Sequence, residues 1–482
     1  MEASCSLARI VNFAHLGLRI LPKFLALSPD SLGKFRKVSP RMETEIVLKN
    51  LPELPQDVLG KVSPPLETET VMRNLPELPQ DVLMEIFSLL EIPDLMRAAS
   101  VSTSWHSAYT SLCNELELYK RPQTPCLLYT SESAGENIAC LYSLAEKRVY
   151  NLTLPDPPIR SRYLIGSSHG WLVTADDKSE LHLINPITGQ QIALPPVITI
   201  DYVEPIFDDA GTIIVKYGLP EQVYSADSGS KLVDPKMLTH APDELRDHLY
   251  VRAFIFPDPS AGSYIVVLIH GPEGELSFAR IGDCKWTLLP PGWDYKQCIY
   301  MHDLLYAFTG TGRIDAFDLT GPTVTRNIII DEIDNYISRD MWYVVQAPWG
   351  GLLQVCREDE LIDDAGYEEL IVKTRKILLY KVDMAEKALV KMNGLHHHVL
   401  FLGRNQSQYL SAEEYPQLKE NCVYFTDDEE YSWKYKTNPR DIGVLNLDDD
   451  SMEEIVSPLW CSWPSPIWIT PSLTVMNLSL YE

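Results

Sequence analysis

The chain has no Cys-x-x-Cys pair, no basic stripe in its large C-terminal part and no apolar run of membrane-spanning length. Its nine cysteines stand singly at positions 5, 113, 126, 140, 284, 298, 356, 422 and 461. An odd, unclustered set argues against a disulfide framework and a zinc knuckle, and fits a reducing compartment. The longest apolar stretches, such as Tyr264–Ile269, fall far short of the roughly 18–20 residues that a membrane helix needs. They read as buried strands, and no membrane partner is expected. With 41 Lys and Arg against 67 Asp and Glu, the 482 residues carry a net charge of −26. Residues 1–74 hold ten basic and eight acidic side chains, so residues 75–482 carry −28. Such a body repels phosphate backbones, which removes nucleic acid as an expected partner and leaves proteins. A composition of 45% hydrophobic and 22% charged residues excludes wholesale disorder, collagen and coiled coil, and the length suits one small module with a large all-β body.

The first 36 residues hold Arg9, Arg19, Lys23, Lys34 and Arg36 against Glu2 and Asp30, with Leu7, Ile10, Val11, Ala14, Leu18 and Leu21 at roughly helical spacing. An acid-poor amphipathic leader of this kind is compatible with an organelle transit peptide or with a free tail. The charged interruptions exclude a secretory signal, so the expected location is the cytoplasm, the nucleus or both. Residues 37–74 read as a linker containing a local duplication. Segments 37–59 and 61–83 align at an offset of 24 with 18 of 23 positions identical, and two copies are too few for a solenoid. Only the second copy continues into further apolar periodicity, as MEIFSLLEIPDLMRAASVSTSWHSAY.

That continuation predicts three short helices between residues 75 and 120. Pro79 blocks extension backwards, and Val82, Leu83, Ile86, Phe87 and Leu90 line one side of the first helix. Pro93 and Asp94 start a second helix carrying Leu95, Met96, Ala98 and Ala99. Ser102 to Ser104 cap a third with Trp105, Ala108, Tyr109 and Leu112. A unit this small barely exceeds the size of about 40 residues below which a metal, a disulfide or a partner is usually required. Its apolar side is therefore expected to need cover from another polypeptide.

The pattern L-P-x-D-V-L-x-E-I-F-S-L-L, followed by D-L-x-R and V-S-x-x-W, resembles an F-box. It is carried by Leu78, Pro79, Asp81, Leu83, Glu85, Ile86, Leu90, Asp94, Leu95, Arg97, Val101 and Trp105. The resemblance implies docking on the Skp adaptor of an SCF-type ubiquitin ligase, and through it on cullin and RING subunits. Leu78, Pro79, Leu83, Ile86, Leu90, Leu95, Val101 and Trp105 are the expected adaptor contacts. Ser102 and Thr103 depart from the family, which often has Cys and a basic residue at those places.

From Pro125 onward, proline and glycine punctuate short apolar runs: Trp171–Thr174, Leu181–Ile184, Ile213–Tyr217, Tyr264–Ile269, Leu276–Ile281, Ile314–Leu319, Ile377–Val382 and Ile442–Leu447. Many short strands with turn signals predict a sandwich, barrel or propeller over residues 125–480. One phrase recurs, a strand, an Asx-based turn and another strand, around Asn185, Asp318, Asp383 and Asn446. A repeated hairpin suits blades around an axis, six to eight of them at roughly 40–50 residues each. Segments 167–196, 258–271, 276–289, 306–319, 397–428 and 463–473 also resemble, in order, the C-terminal domain of a large plant F-box family, once a domain of unknown function and regarded as β-propeller-like.

Candidate chemistry is weak. Gly166-Ser167-Ser168-His169-Gly170 matches G-x-S-x-G, but strand residues follow it where a hydrolase elbow needs a helix. Consecutive His396, His397 and His398 point in alternating directions on a strand, and Gly310-Thr311-Gly312 lacks the rest of a dinucleotide fingerprint. No catalytic residue, metal or cofactor is expected. The acidic clusters at 358–370, 427–430 and 448–450 read as solvated loops. A sharper expectation makes the first of them, through Asp359, Asp363, Asp364 and Tyr367 with Trp349, Tyr431 and Trp433 nearby, a surface that selects a basic substrate. The expected function is thus a non-catalytic substrate receptor of an SCF ubiquitin ligase with an unidentified protein target. A ligase-independent scaffold with a degenerate F-box is the alternative, and an enzyme using a central propeller cleft is a third reading.

Overall fold

The structure is a computed structural model that describes residues 78–115, 119, 121–221, 236–258, 263–321, 323–331, 341–362, 371–428, 436, 439–455 and 461–476. The leader and nearly all of the duplicated segment lie outside the described residues. Two compact units meet in sequence at Gln123 and Thr124.

The first unit is helical. Helix α1 spans Gln80–Phe87 and begins after Pro79, with Asp81 in its first turn, where a carboxylate complements the helix dipole. It ends earlier than the apolar spacing predicts: Leu90 N bonds to Phe87 O in a tight turn, yet Leu90 remains buried. Helix α2, Ile92–Ala99, has Pro93 in its first turn, and Gln123 Oε1 accepts from Ile92 N at 2.7 Å, satisfying one of the amides that every helix start leaves unpaired. Helix α3, Thr103–Asn114, is capped by Ser102 Oγ, which accepts from Trp105 N at 3.3 Å. It packs against both α1 and α2, and Phe87 meets Trp105 edge to face at 5.4 Å between centroids.

Among the described residues, the second unit contains a ring of six sheets. Blade 1 contains Cys126–Tyr129, Ile138–Ser143 and Arg148–Thr153, with the late strand Ile467–Ile469 added antiparallel to its first strand. Blades 2, 3, 4 and 5 run outward in chain order from the inner strands Tyr163–Ser168, Tyr250–Asp258, Tyr295–Met301 and Met341–Gln346. Blade 6 has five strands, with Gln408–Ser411 innermost and a parallel pairing of His398–Leu402 with Cys422–Phe425. The inner strands neighbour one another from blade to blade, and Gln408 Nε2 donates to Thr470 Oγ1 at 3.0 Å between blade 6 and the end of the closing strand. Pairing the last strand into the first blade removes the free inner edge.

The burial pattern follows from this geometry. Inner strands lie between neighbouring sheets and are buried on both faces, as in Tyr163–Ser168, whereas the outermost strand Arg148–Thr153 is largely exposed. Apolar layers fill the spaces between blades. Phe254, Ile265 and Val267 meet Leu305 and Phe317 between blades 3 and 4, and Tyr343 and Val355 meet Leu400 and Phe425 between blades 5 and 6. Each such side chain is worth roughly 1.5–3 kcal/mol on burial.

The recurring Asx phrase marks the outermost hairpin of four blades. Asn185 Oδ1 accepts from Ile187 N at 2.9 Å, Asp318 Oδ1 from Thr320 N at 2.9 Å, Asp383 Oδ1 from Ala385 N at 3.0 Å and Asn446 Oδ1 from Asp448 N at 2.8 Å. Among the described residues one sheet stands outside the ring. It pairs Glu204–Phe207, Ile214–Pro220 and Met237–His240 and is followed by helix α4, Pro242–Leu249.

Candidate functional site

The eight expected adaptor contacts fall into two groups. Leu83, Ile86, Leu90 and Leu95 are at most 2% exposed, so they form interior and not surface. The physical reason is that α3 lies against both two-turn helices, and their apolar sides close on it. The expectation of an uncovered apolar side fails for these four. Leu78, Pro79, Val101 and Trp105 are half-buried, as are Met84, Leu89, Met96 and Tyr109, which the motif did not single out. The inner group is further tied down by polar contacts. Tyr119 OH donates to Leu90 O at 2.6 Å, Gln123 Nε2 donates to Tyr119 OH at 2.9 Å, and Arg97 bridges to Asp94 at 2.8 Å.

Of the residues named for the expected acidic surface, Asp359 and Trp349 are among those described. Asp359 is exposed as predicted but lies on a strand, Leu352–Ile362, within a long hairpin, and Glu358 of the same strand pairs with Arg375 at 2.9 Å. Asp363, Asp364, Tyr367, Tyr431 and Trp433 lie outside the described residues. Trp349 precedes the start of that strand and stands edge-on to Tyr409 at 6.0 Å. Seven residues of extended chain separate the strand start, Leu352, from Asp359, about 23 Å at a rise of 3.3 Å per residue. The aromatic and the carboxylate therefore sit at opposite ends of the blade.

Asp427 and Asp428 depart from the reading of the 427–430 cluster as a solvated loop, because both are buried, while Glu429 and Glu430 lie outside the described residues. Asp428 bonds to Arg252 and accepts from Tyr343 OH at 2.9 Å, and its Oδ1 lies 3.3 Å from Arg357 Nη1. Arg357 is wholly buried and reaches Asp441 at 2.7 Å and Thr374 Oγ1 at 2.6 Å. Burial works against its charge, and Tyr343, Asp428 and Asp441 more than reverse that, so its pKa lies above the ordinary arginine value. Burial also raises the Tyr343 phenol, which stays a neutral donor. Arg252 belongs to blade 3 and Asp428 to blade 6, which face each other across a six-membered ring. Their ion pair spans the ring axis at the end where the inner strands begin. Arg404 of blade 6 joins the same end to Tyr163 of blade 2 at 3.0 Å. Arg252 and Arg357 meet Asp428 and Asp441, Arg440 meets Asp427, and Arg404 donates to Tyr163 OH, so each of these buried guanidinium groups has a polar partner, which is the condition for keeping charges out of water.

The weak catalytic motifs resolve as turns. Ser167 and Ser168 end the inner strand of blade 2, and His169 and Gly170 form the tight turn to Trp171 with φ of 51° and 83°. A Cβ on Gly170 would lie 2.2 Å from Ser472 Cβ, so the second glycine serves close packing. His396 has φ of 54° before the strand His398–Leu402, and Gly312, with φ of 85°, sits in the hairpin between Leu304–Thr309 and Ile314–Asp318. Among the described residues no group of three or more His, Cys, Asp or Glu is arranged to hold a metal ion.

Two family models match this chain. Residues 141–446 fit the KIB1-4 beta-propeller. The chain belongs to that family. Residues 75–122 fit the F-box-like model and contain the three helices described above. Among curated proteins, the F-box protein KIB4 of Arabidopsis thaliana is 24% identical over 71% of this chain and 79% of its own length. Another Arabidopsis thaliana F-box protein, At5g25290, is 22% identical over 79% of this chain and 92% of that protein. Among solved structures, the Cps50 (Swd1) beta-propeller domain of Myceliophteria thermophila covers 70% of this chain and 98% of its own at 11% identity, with a TM-score of 0.26. The propeller assignment stands on the six sheets and the family model.

Proposed function

We propose that this member of the KIB1-4 beta-propeller family is a substrate-recognition subunit of an SCF-type ubiquitin ligase. The helical unit would dock on a Skp-like adaptor and so on cullin and RING subunits, and the propeller would hold a protein destined for ubiquitination. One observation carries the reading: an F-box-like unit of three packed helices stands in the same chain as a propeller whose buried polar groups serve structure. Catalysis would belong to the assembly, since holding a lysine near a thioester makes transfer effectively intramolecular. The cytoplasm or nucleus is the proposed location.

Within the helical unit, Leu83, Ile86, Leu90 and Leu95 would set the shape, while Leu78, Pro79, Val101 and Trp105, with Leu89, would meet the adaptor. The test separates the two groups. Leu89→Asp with Val101→Asp changes half-buried positions and should reduce adaptor co-purification at least tenfold while the helical circular dichroism is kept. Undiminished co-purification would favour the alternative of a ligase-independent scaffold.

A further inference from the structure

Outside the propeller's core, exposed large apolar side chains are mostly single. Val149, Ile328, Val390 and Met452 sit one to a blade on outermost strands of blades 1, 4, 5 and 6, which is normal for a protein surface. The sheet outside the ring differs. Tyr202, Ile206, Phe207, Ile213, Val215 and Met237 are all exposed there, Ile213 by 63% and Phe207 by 49%.

The display is built and held. On the inner side, Tyr217 and Leu219 are buried with Leu245 and Leu249 of α4 in the core shared by blades 2 and 3. Ile206, paired with Lys216, points to the opposite side, whereas Phe207 is paired with Ile214, which packs on that core, and Val215 is left as a bulge. A bulge turns neighbouring residues to one side, and Val215 and Lys216 are both exposed. The hairpin tip is closed by Asp208, whose Oδ1 accepts from Thr212 N at 2.8 Å and from Ile213 N at 3.1 Å. Those bonds, that from Ile213 first, hold its carboxyl below the usual range. Tyr202 adopts φ of 72°, a conformation rare for a bulky residue. Residues 198–217 contain Asp201, Glu204, Asp208 and Asp209 against Lys216 alone.

An exposed apolar cluster, with Ile206 and Val215 on the outer side and Phe207 and Ile213 at the hairpin end, fringed by carboxylates, complements a segment in which apolar residues alternate with Lys or Arg. We propose that the sheet of Glu204–Phe207, Ile214–Pro220 and Met237–His240 is where the propeller receives its target protein, through such a basic amphipathic segment. The proposal rests on the substrate-receptor reading above and adds the location and the chemistry of the target.

The test uses the full chain and a phage-displayed library of random 12-residue peptides. The wild-type chain should enrich peptides of net positive charge with alternating aromatic or aliphatic residues. Phe207→Ser with Ile213→Ser should lower that enrichment about tenfold, and Asp209→Lys with Glu204→Lys, which leaves the apolar residues in place, should lower it several-fold. Adaptor co-purification should be unchanged in both variants, so failure here is distinguishable from failure of the ligase reading. Equal enrichment by wild type and variants, or selection of acidic peptides, overturns the proposal. A wild-type dimer that Phe207→Ser with Ile213→Ser converts to a monomer in light scattering overturns it too, by assigning the patch to a second copy of the chain.

Discussion

The helical unit and the ring of blades differ in how far along the chain their decisive contacts reach. In the helical unit, Ser102 caps Trp105, Phe87 meets Trp105 and Gln80 bonds Ser111, all within 31 residues. In the ring, Cys126 pairs with Ile469, and Arg252 bonds Asp428 across 176 positions. Local contacts make a module that sequence periodicity describes; distant ones make a closed object whose parts depend on each other. Arg357→Met breaks the second kind. It leaves Asp428 and Asp441 buried beside an apolar side chain, and removal of one partner from a buried pair costs about 3–5 kcal/mol. Urea unfolding followed by amide exchange should show that loss in the blade strands, with adaptor co-purification unchanged. Leu95→Ala is the mirror experiment. A fully buried leucine cut to alanine costs about 2–5 kcal/mol, here expressed in α1–α3, with loss of adaptor co-purification and unchanged exchange in the blades.

The same difference explains what could be read in advance. Helix starts at Pro79, Pro93 and Ser102, and strands such as Leu181–Ile184, follow from side chains a few positions apart, and they occur where expected. The Asx residues identified the outermost hairpins for the same reason. The depth of Leu83 and Leu90 was not legible, because an amphipathic helix shows which side is apolar and not what covers it. Asp427 and Asp428 were misread as solvated because their partners, Arg440, Arg252 and Arg357, are 13, 176 and 71 positions away. Trp349 and Asp359 were placed together because they are close in sequence, and seven residues of one extended strand separate Asp359 from the strand start beside Trp349. The extra sheet was half legible: Ile213–Tyr217 read as a strand, but nothing local says that it stands outside the ring.

A pH titration sharpens the comparison within the ring. His270 is wholly buried in blade 3, with Nδ1 2.7 Å from Gly271 O and Nε2 2.8 Å from Ser277 Oγ. Burial lowers its pKa from 6.5 to about 4. The unfolded chain therefore binds this proton first as pH falls. The contribution is fully present above pH 6.5, declines between pH 6.5 and about 4 and is level below, by at most about 3 kcal/mol. His270→Gln should flatten that part of the stability profile, so the gap between wild type and variant narrows on acidification. A gap independent of pH would mean that His270 is not held neutral.

The smallest effects compare two turns of one chemistry. Asn185 and Asp383 both accept backbone amides in the outermost hairpin of their blades. Asn185 also donates through Nδ2 to Ser472 O and Thr474 O, both at 3.1 Å, just beyond the strand that closes the ring. Asp383→Ala removes a local turn and should cost about 1 kcal/mol. Asn185→Ala also leaves two carbonyls without their donor, and an orphaned buried polar group costs about 1–3 kcal/mol. The excess of Asn185→Ala over Asp383→Ala, read from denaturant midpoints at constant slope, measures what ring closure adds to a turn that is otherwise the same. Equal costs would mean that the segment after the closing strand is held by Gln190, whose side chain bonds both Met476 O and Met476 N, and not by Asn185.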